Sequence, residues 1–488
     1  MNRALRRISI AVLFMFILLL INVNYLQAFE AGSLTNKPGN ARAFAAQYQY
    51  QRGPITTSDG VVVAQSKAVG GLYKYQRTYP LGPEYAPVTG YNSLYGSTGI
   101  EASQNALLAG SDSQLAVRNV IDMITGKTRA GANVQLTLDS KAQNAAWSAL
   151  QSSGKSGAVV ALDPKTGAIL ALASYPSYDP NQLSVLDGAQ LNTNDKKLLA
   201  DPANPLLNRA TQATYPPGST FKIVTSSTLF SNTNENLNSL VSAPTSLKLP
   251  QSNVNLINDN GEVCGPGNGQ ATIITAFTLS CNTAFANIGM QLGSAALKSE
   301  AQKFGMNNPN LKIPLPVTQS NFPLEPAQSF TAMSAIGQKD DTVTPLQEAM
   351  FAAAIANGGT LMTPYLVQQV RAADLSVVQS ATPTVLSQPV SSSVAGQVRQ
   401  MMLSVVSSPS GTAHQFANAI PGVQIAGKTG TAQNGVNNSG LNDAVFTSFA
   451  SNGNRSMAVG VIIQGGGYGA AAAAPIAVNV LKAYLENG

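Results

Sequence analysis

Apolar residues are concentrated at the amino end of this chain, and farther on they recur with the periods of strands and helices. The uncharged stretch from Ile8 to Phe29, which includes AVLFMFILLLI, is 22 residues long, enough for a bilayer-spanning helix. Arg3, Arg6 and Arg7 precede it, so the positive-inside rule predicts a cytoplasmic amino terminus and an extracytoplasmic remainder. The apolar core is longer than a signal peptide needs and LQAFEAG is a poor cleavage site, which predicts an uncleaved anchor. No second apolar stretch is long enough to span.

Residues 30 to 130 show little helical periodicity. RGPITTSDGVVVAQ (Arg52 to Gln65) reads as two short strands about a Ser-Asp-Gly turn, and PLGPEYAPVTGYNSLYGSTG reads as loop. A separate, irregular, strand-containing domain is therefore expected over 30–130, between an anchor over 1–29 and a larger domain over 131–488. In the larger domain NVQLTLDS alternates like a strand, and Asp139 or Ser140 can cap a helix through KAQNAAWSAL. GAVVALDPKTGAILALAS is a hairpin pattern, two apolar strands about an Asp-Pro-Lys-Thr-Gly turn. Beyond Lys222 helical periods dominate, and TPLQEAMFAAAIANGG predicts an amphipathic helix stopped by glycines. VQIAG, VFTSFAS and SMAVGVIIQG return to strand, and AAPIAVNVLKAYLEN closes the chain as a helix. This order predicts an α+β domain, with helices packed on an antiparallel sheet.

Composition narrows the function. Charged residues make up 11% of the chain, well below the usual quarter, and uncharged polar residues supply the polarity instead. The net charge of +6 comes without a dense Lys/Arg run, which argues against nucleic acid and leaves a weak attraction to an anionic membrane or wall surface. His414 is the one histidine, and Cys264 and Cys281 are the two cysteines. A zinc site of His and Cys would need all three, and neither HExxH nor CxxC occurs, so no metal is expected. Outside the membrane the cysteines, 17 positions apart, either close a disulfide worth about 3 kcal/mol or lie as two buried thiols.

Three short patterns carry candidate chemistry. In PPGSTFK (Pro216 to Lys222) a turn is followed by Ser219 and, three residues on, by Lys222, which can meet on one helix face. Serine becomes a nucleophile when a base takes its proton, and lysine serves as that base once burial or a nearby cation lowers its pKa from about 10.4. A helix amino terminus adds N–H groups where an oxyanion would form. The same residues also describe an ordinary N-cap serine before a surface lysine, and SSGK at Ser152 to Lys155 shows how easily the spacing arises. In LSCNTAFA, Ser280 and Asn282 straddle Cys281; they can relay a proton and hold a carbonyl, or simply cap a helix. In VQIAGKTGTAQ a strand runs into Lys428, Thr429, Gly430 and Thr431. Those side chains can hold a carboxylate and the strand edge can pair with an extended peptide, or the segment is an ordinary exit into a turn.

Each pattern alone is weak, but the order S-x-x-K, S-x-N, K-T-G is the signature of penicillin-binding proteins and class A β-lactamases. Together with NVQLTLDSKAQNAA, GAVVALDPKTGAILALASYPSYDPN, LNRATQATYPPGSTFKIV, GQKDDTVTPLQEAMFAAAIANGG and IAGKTGTAQ, it makes the chain resemble a class B penicillin-binding protein over about residues 50 to 485. RGPITTSDG matches that family's amino-terminal module more loosely, and YGSTGIEASQNALLAG resembles an actinobacterial branch. The middle of the second motif is Cys281 where β-lactamases carry Asp, while Ser280 and Asn282 are kept.

The resemblance implies the penicillin-binding transpeptidase fold, an antiparallel sheet flanked by helices plus an all-helical subdomain. It also implies D,D-transpeptidation of peptidoglycan stem peptides on lipid II-derived glycan strands. Ser219 would attack the D-Ala-D-Ala carbonyl and Lys222 would take its proton. Ser280, with Lys222 or Lys428, would protonate the departing D-alanine. Backbone N–H groups of Ser219 and Thr431 would form the oxyanion hole. Lys428, Thr429 and Thr431 would hold the terminal carboxylate, with Gly430 between them, and Asn282 the peptide amide. β-Lactams would acylate Ser219, no cofactor is implied, and division or elongation proteins, including a glycosyltransferase, are the expected partners. A class A β-lactamase would need E-x-x-L-N between the second and third motifs, and none lies between Asn282 and Lys428. A D,D-carboxypeptidase, with water as acceptor, and a non-catalytic wall scaffold remain as alternatives.

Overall fold

The computed structural model describes residues 2–30, 48–71, 73–115, 124, 130–253, 255–324, 327–433 and 440–486. The apolar stretch is helical: α1 spans Asn2–Tyr25 and runs on as a π-helical turn over Leu26–Glu30. Within it, Leu5–Ala28 is long and apolar enough to cross a membrane, and that window is 0% buried in the protein.

The amino-terminal strands are β1 (Ile55–Thr56), β2 (Val62–Ala68) and β3 (Tyr75–Thr78), with β1 and β2 paired antiparallel about Asp59-Gly60. They do not form a sheet of their own. β4 (Asn133–Leu136) pairs parallel to β1 and antiparallel to Val367–Arg371, which pairs in turn with Val377–Ser380. One six-stranded sheet therefore joins the segment before residue 130 to the one after it. The stretch read as loop between Pro80 and Gly99 carries a helix, Gly82–Thr89. Pro83 sits in its first turn, where no N–H is needed, and buried Tyr85 and Val88 hold the helix against the core despite Pro87.

In the larger domain α2 (Ser140–Ser153) starts at Asp139, whose carboxylate accepts from the N–H groups of Lys141 and Ala142. The hairpin is present as β5 (Gly157–Leu162) and β6 (Ile169–Tyr175). The helical part follows, with α3 (Lys222–Asn232), α4 (Asn282–Leu292), α5 (Pro345–Ala356) and α6 (Ser392–Ser407). The chain then returns to the sheet as β7 (Ile425–Ala432), β8 (Asp443–Asn452) and β9 (Arg455–Ile463) and ends in α7 (Ala474–Leu485). The sheet is antiparallel throughout, in the order β7-β8-β9-β5-β6, so β7, the strand of the third motif, lies at its edge.

Helices α2 and α7 pack together on this sheet, and α5 packs on β5, β8 and β9. Every residue of β5 and of Asp443–Ala450 is buried, and each large aliphatic side chain among them contributes about 1.5–3 kcal/mol by leaving water. Helix α5 is buried from Pro345 through Ile355 rather than amphipathic. Its polar residues Gln347 and Glu348 do not face water: Gln347 Nε2 donates to Phe304 O, and the Glu348 carboxyl is engaged by two threonines. Sandwiched between the sheet and the helical part, the helix has no solvent side to present.

The amino-terminal module is fastened by one buried charge cluster. Glu101 is completely buried and receives Arg52 Nε on one oxygen and Arg77 Nε on the other, each at 2.5 Å. Arg52 also donates to Asn105 Oδ1 and Glu101 O, Arg77 to Gly53 O, and Tyr79 Oη to Glu101 Oε1. Burial alone would raise the Glu101 pKa, but Arg77 and Arg52 outweigh it and hold the carboxyl below its ordinary range. The cluster connects residues far apart in sequence on β3, Gly99–Ser103 and the start of the module. Glu101→Gln leaves two buried guanidinium groups without their counter-charge. The expected loss is about 3–5 kcal/mol, read as a lowered denaturant midpoint with unchanged m-value.

Candidate active site

The turn Pro216-Pro217-Gly218 delivers the chain into a 3₁₀ turn, Gly218–Phe221, which continues directly into α3. Ser219 is the second residue of that turn and caps nothing. Pro217 and Phe221 occupy the two cap positions, and neither makes a side-chain cap bond. The N-cap reading of Ser219 is therefore replaced by a tighter geometry. Gly218 N donates to Gly337 O at 2.8 Å, and a Cβ at Gly337, where φ is +71°, would lie 2.0 Å from Gly218 O. Only glycine allows that contact. At Gly430 a Cβ would come within 2.9 Å of Pro217 O, so a bare backbone lets β7 lie against the serine turn.

The second motif closes the site from the helical side. Ser280 sits between helix Ile273–Thr278 and α4 with φ at +60°, a left-handed conformation that a non-glycine residue adopts under constraint. Ser280 N donates to Phe277 O and Cys281 N to Ala276 O. Cys281 is joined to Cys264 by a disulfide with Cα atoms 5.9 Å apart. The link draws in the preceding segment. Asn258 Oδ1 accepts from Thr283 N at 3.1 Å, and Asp259 Oδ1 accepts from Asn282 Nδ2 at 3.3 Å.

Two lysines meet at Ser280. Lys222 Nζ donates to Ser280 O at 2.7 Å, to Asn282 Oδ1 at 2.8 Å and, more loosely, to Ser280 Oγ at 3.3 Å. Lys428 Nζ donates to Ser280 Oγ at 2.8 Å and to Thr429 O at 3.0 Å. Both lysines are 0% exposed. Burial first, and then the charge of Lys428, drives the Lys222 pKa well below its ordinary value, with Asp259 opposing. Burial brings Lys428 down to about 7, again against Asp259. A neutral Lys222 amine has two N–H groups and one lone pair. The two carbonyl oxygens at 2.7 and 2.8 Å take the N–H groups, which frees the lone pair to accept a hydroxyl proton.

Ser219, Asn282 and Thr431 line a cleft of about 750 Å³, which Asp259 also borders, with Phe330, Gln338 and Lys339 among its other walls. Lys222, Ser280, Lys428 and Gly430 lie beneath its surface. Among the described residues, no hydrogen bond of Lys222 goes to Ser219. The Thr429 hydroxyl is engaged with Thr412 Oγ1 at 2.7 Å. His414 contacts Val406 O and takes no part in the site. No cluster of metal-ligating side chains occurs among the described residues. Asn258, Asp259, Gln338 and Thr412 escaped the sequence reading. For the first two a signal existed, since Cys264 paired with Cys281 brings their segment to the second motif.

A family model for the penicillin-binding protein transpeptidase domain matches residues 157–482, and one for the penicillin-binding protein A dimerisation domain matches 52–134. The chain is 41% identical over its full length, and over the full length of the relative, to peptidoglycan D,D-transpeptidase PbpA of Mycolicibacterium smegmatis. It is 40% identical to the Mycobacterium tuberculosis protein of the same name, covering 100% of this chain and 99% of that one. Its structure resembles a ceftriaxone acyl-enzyme of M. tuberculosis penicillin-binding protein A, with a TM-score of 0.86 and 38% identity over 90% of this chain and 100% of that one. Pseudomonas aeruginosa PBP2 is more distant, with a TM-score of 0.73 and 27% identity over 90% of this chain and 96% of that one. The chain belongs to the penicillin-binding protein transpeptidase family.

Proposed function

We propose that this protein is a membrane-anchored peptidoglycan D,D-transpeptidase that works through an acyl-enzyme on Ser219 and is inhibited by β-lactams. The observation that carries the proposal is Ser280 Oγ, held between two fully buried lysines at the floor of the cleft that Ser219 lines. Lys222, whose pKa burial and the charge of Lys428 drive well below its ordinary value, takes the Ser219 proton as Oγ bonds to the penultimate D-alanine carbonyl carbon. Backbone N–H groups of Ser219 and Thr431 hold the developing oxyanion. The proton then passes through Ser280 to the nitrogen of the departing D-alanine, with Lys428 polarising the Ser280 hydroxyl. Asn282 Nδ2 keeps one N–H for a donor-peptide carbonyl, while Thr431, Lys428 and, after its bond to Thr412 is exchanged, Thr429 hold the terminal carboxylate. An amine of a second stem peptide takes the acyl group and releases Ser219. The arginines that precede the apolar stretch of α1 support an amino terminus in the cytoplasm and a cleft outside, beside the glycan strands of a partner glycosyltransferase in the division or elongation machinery.

Fluorescent penicillin should label the wild type and leave Ser219→Ala unlabelled; equal labelling of both sinks the nucleophile assignment. With polymerised lipid II the wild type should form crosslinked stem-peptide dimers, whereas release of D-alanine without dimers would mark a D,D-carboxypeptidase. The lysine pair adds a pH dependence. A neighbouring positive charge disfavours protonated Lys222, so removing that charge lets Lys222 hold its proton to higher pH. Lys428 carries the charge only below about pH 7, so the effect is confined to that side. In Lys428→Gln the acid limb of the acylation rate should move to higher pH relative to wild type, measured with penicillin from acid to mildly alkaline pH. An unmoved limb would show that the two lysines do not couple.

A further inference from the structure

Directly behind the serine turn lies a carboxyl group that the mechanism above does not use. Glu348, on α5, is 0% exposed. One of its oxygens, Oε1, is 2.8 Å from Oγ1 of Thr220, the residue after Ser219. The other, Oε2, is 2.5 Å from Oγ1 of Thr447, the cross-strand partner of Lys428. The carboxyl therefore bridges the turn that carries the nucleophile and the strand pair that carries the second lysine.

Counting protons assigns its charge state. Thr220 Oγ1 also lies 2.8 Å from Pro217 O, and Thr447 Oγ1 lies 3.0 Å from the main-chain oxygen of Glu348. Two hydroxyls thus face four oxygen neighbours at hydrogen-bonding distance, yet each hydroxyl brings one proton. With Glu348 ionised, two of the four contacts set lone pair against lone pair. A proton on the carboxyl relieves one of them: Oε2–H donates to Thr447 Oγ1, which passes its own proton to Glu348 O. The Thr220 proton is shared between Pro217 O and Oε1. Among the described residues no cation forms an ion pair with the Glu348 carboxyl. The elements around Glu348 contribute Lys222 on α3, Arg399 on α6, Lys428 on β7, Asp443 on β8 and Arg455 on β9, and β5 carries no ionisable side chain. Among the described residues none of these bonds to the Glu348 carboxyl.

We propose that Glu348 is a positioning residue, held in its protonated form, that locks the Ser219 turn to the strands carrying Lys428. The proposal rests on Ser219 being the nucleophile. Burial supports the protonated state by pushing the carboxyl up to about 7, against the hydrogen bonds from Thr447 and Thr220. Protonation also keeps a negative charge from lying one strand away from Lys428, where it would favour the charged lysine.

The test uses full-length protein in detergent, isotope-labelled at glutamate carboxyls. At pH 6 the infrared difference between wild type and Glu348→Gln should contain a protonated-carboxyl C=O band. Its absence overturns the protonated state. Should Glu348→Gln not fold, Thr447→Val keeps the acid and removes one partner, and the band must then shift between wild type and this variant; an unmoved or missing band overturns the proposal. In acylation by fluorescent penicillin at pH 6, Glu348→Gln, which retains a donor and an acceptor, should stay within about threefold of wild type. Glu348→Ala, folded by circular dichroism, should lose at least about tenfold through misplacement of the turn. Above about pH 7 only the wild type ionises at this position, so the Gln-to-wild-type rate ratio should rise with pH. A flat ratio, or Ala as fast as Gln, overturns the positioning role. Failure of wild type to label at Ser219 would refute the functional reading instead and leave the infrared result standing.

Discussion

Two lysine ammonium groups cannot both stay charged where neither has any contact with water, and the site is arranged around that constraint. Full desolvation of Lys222 and Lys428 costs several kcal/mol per charge unless proton release relieves it. Ser280 is the group that makes the pair tolerable. It offers its carbonyl oxygen to Lys222 and its hydroxyl to both lysines, so it is the one residue that both amines share. Phe285 and Phe277 lie 5.5 and 5.6 Å from the two Nζ atoms, a weak attraction for whatever positive charge remains. The outcome is one amine whose pKa falls well below its ordinary value and another brought down to about 7, a division of roles between chemically identical side chains.

Most of the fold serves to hold three pieces of backbone against this pair. The serine turn is pressed between Gly337 and β7, the edge strand of the sheet. The Ser280 turn is held in a left-handed conformation by bonds back to Phe277 and Ala276 and by the disulfide at Cys281. Helix α5 lies under both sheet and serine turn, which is why it carries no exposed face. The amino-terminal module is joined to this body by a continuous ladder rather than by a linker, since β4 is shared between β1 and Val367–Arg371.

The three motifs, the hairpin β5–β6, the returning strands β7–β9 and the long apolar helix α1 were all legible, because each follows a local period or a fixed spacing. What stayed hidden depends on partners distant in sequence. The six-stranded sheet needs Val367–Arg371, some three hundred residues from β1, and nothing local announces that pairing. The helix over Gly82–Thr89 was masked by its two prolines, which tertiary burial of Tyr85 and Val88 overrides. For α5 the pattern predicts an amphipathic helix, whereas its polar pair Gln347 and Glu348 is buried. A single acid within TPLQEAMFAAAIA could equally have been read as a buried one, and the deciding fact, two threonines from other elements, is not in the local sequence. Thr429 likewise took its expected place from the K-T-G pattern, while the structure gives its hydroxyl to Thr412.

Asp259 shows how the edge of the site tunes its centre. Its charge works against burial at both lysines, so it limits how far either falls. Its Oδ1 also fixes the Asn282 amide: with Nδ2 turned toward a carboxylate and Oδ1 accepting from Lys222, the reverse flip would set carbonyl against carboxylate and N–H against the Lys222 N–H. Asn282 can therefore offer a substrate only its remaining N–H, a donor suited to a carbonyl. Asp259 itself is exposed, at the start of a 3₁₀ turn. Two anchors flank it, Asn258 bonded to Thr283 and Cys264 bonded to Cys281, and both end on α4 or its cap. The carboxylate that orients Asn282 and moderates the lysines is thus tied, on both sides, to the same helix start that presents Asn282.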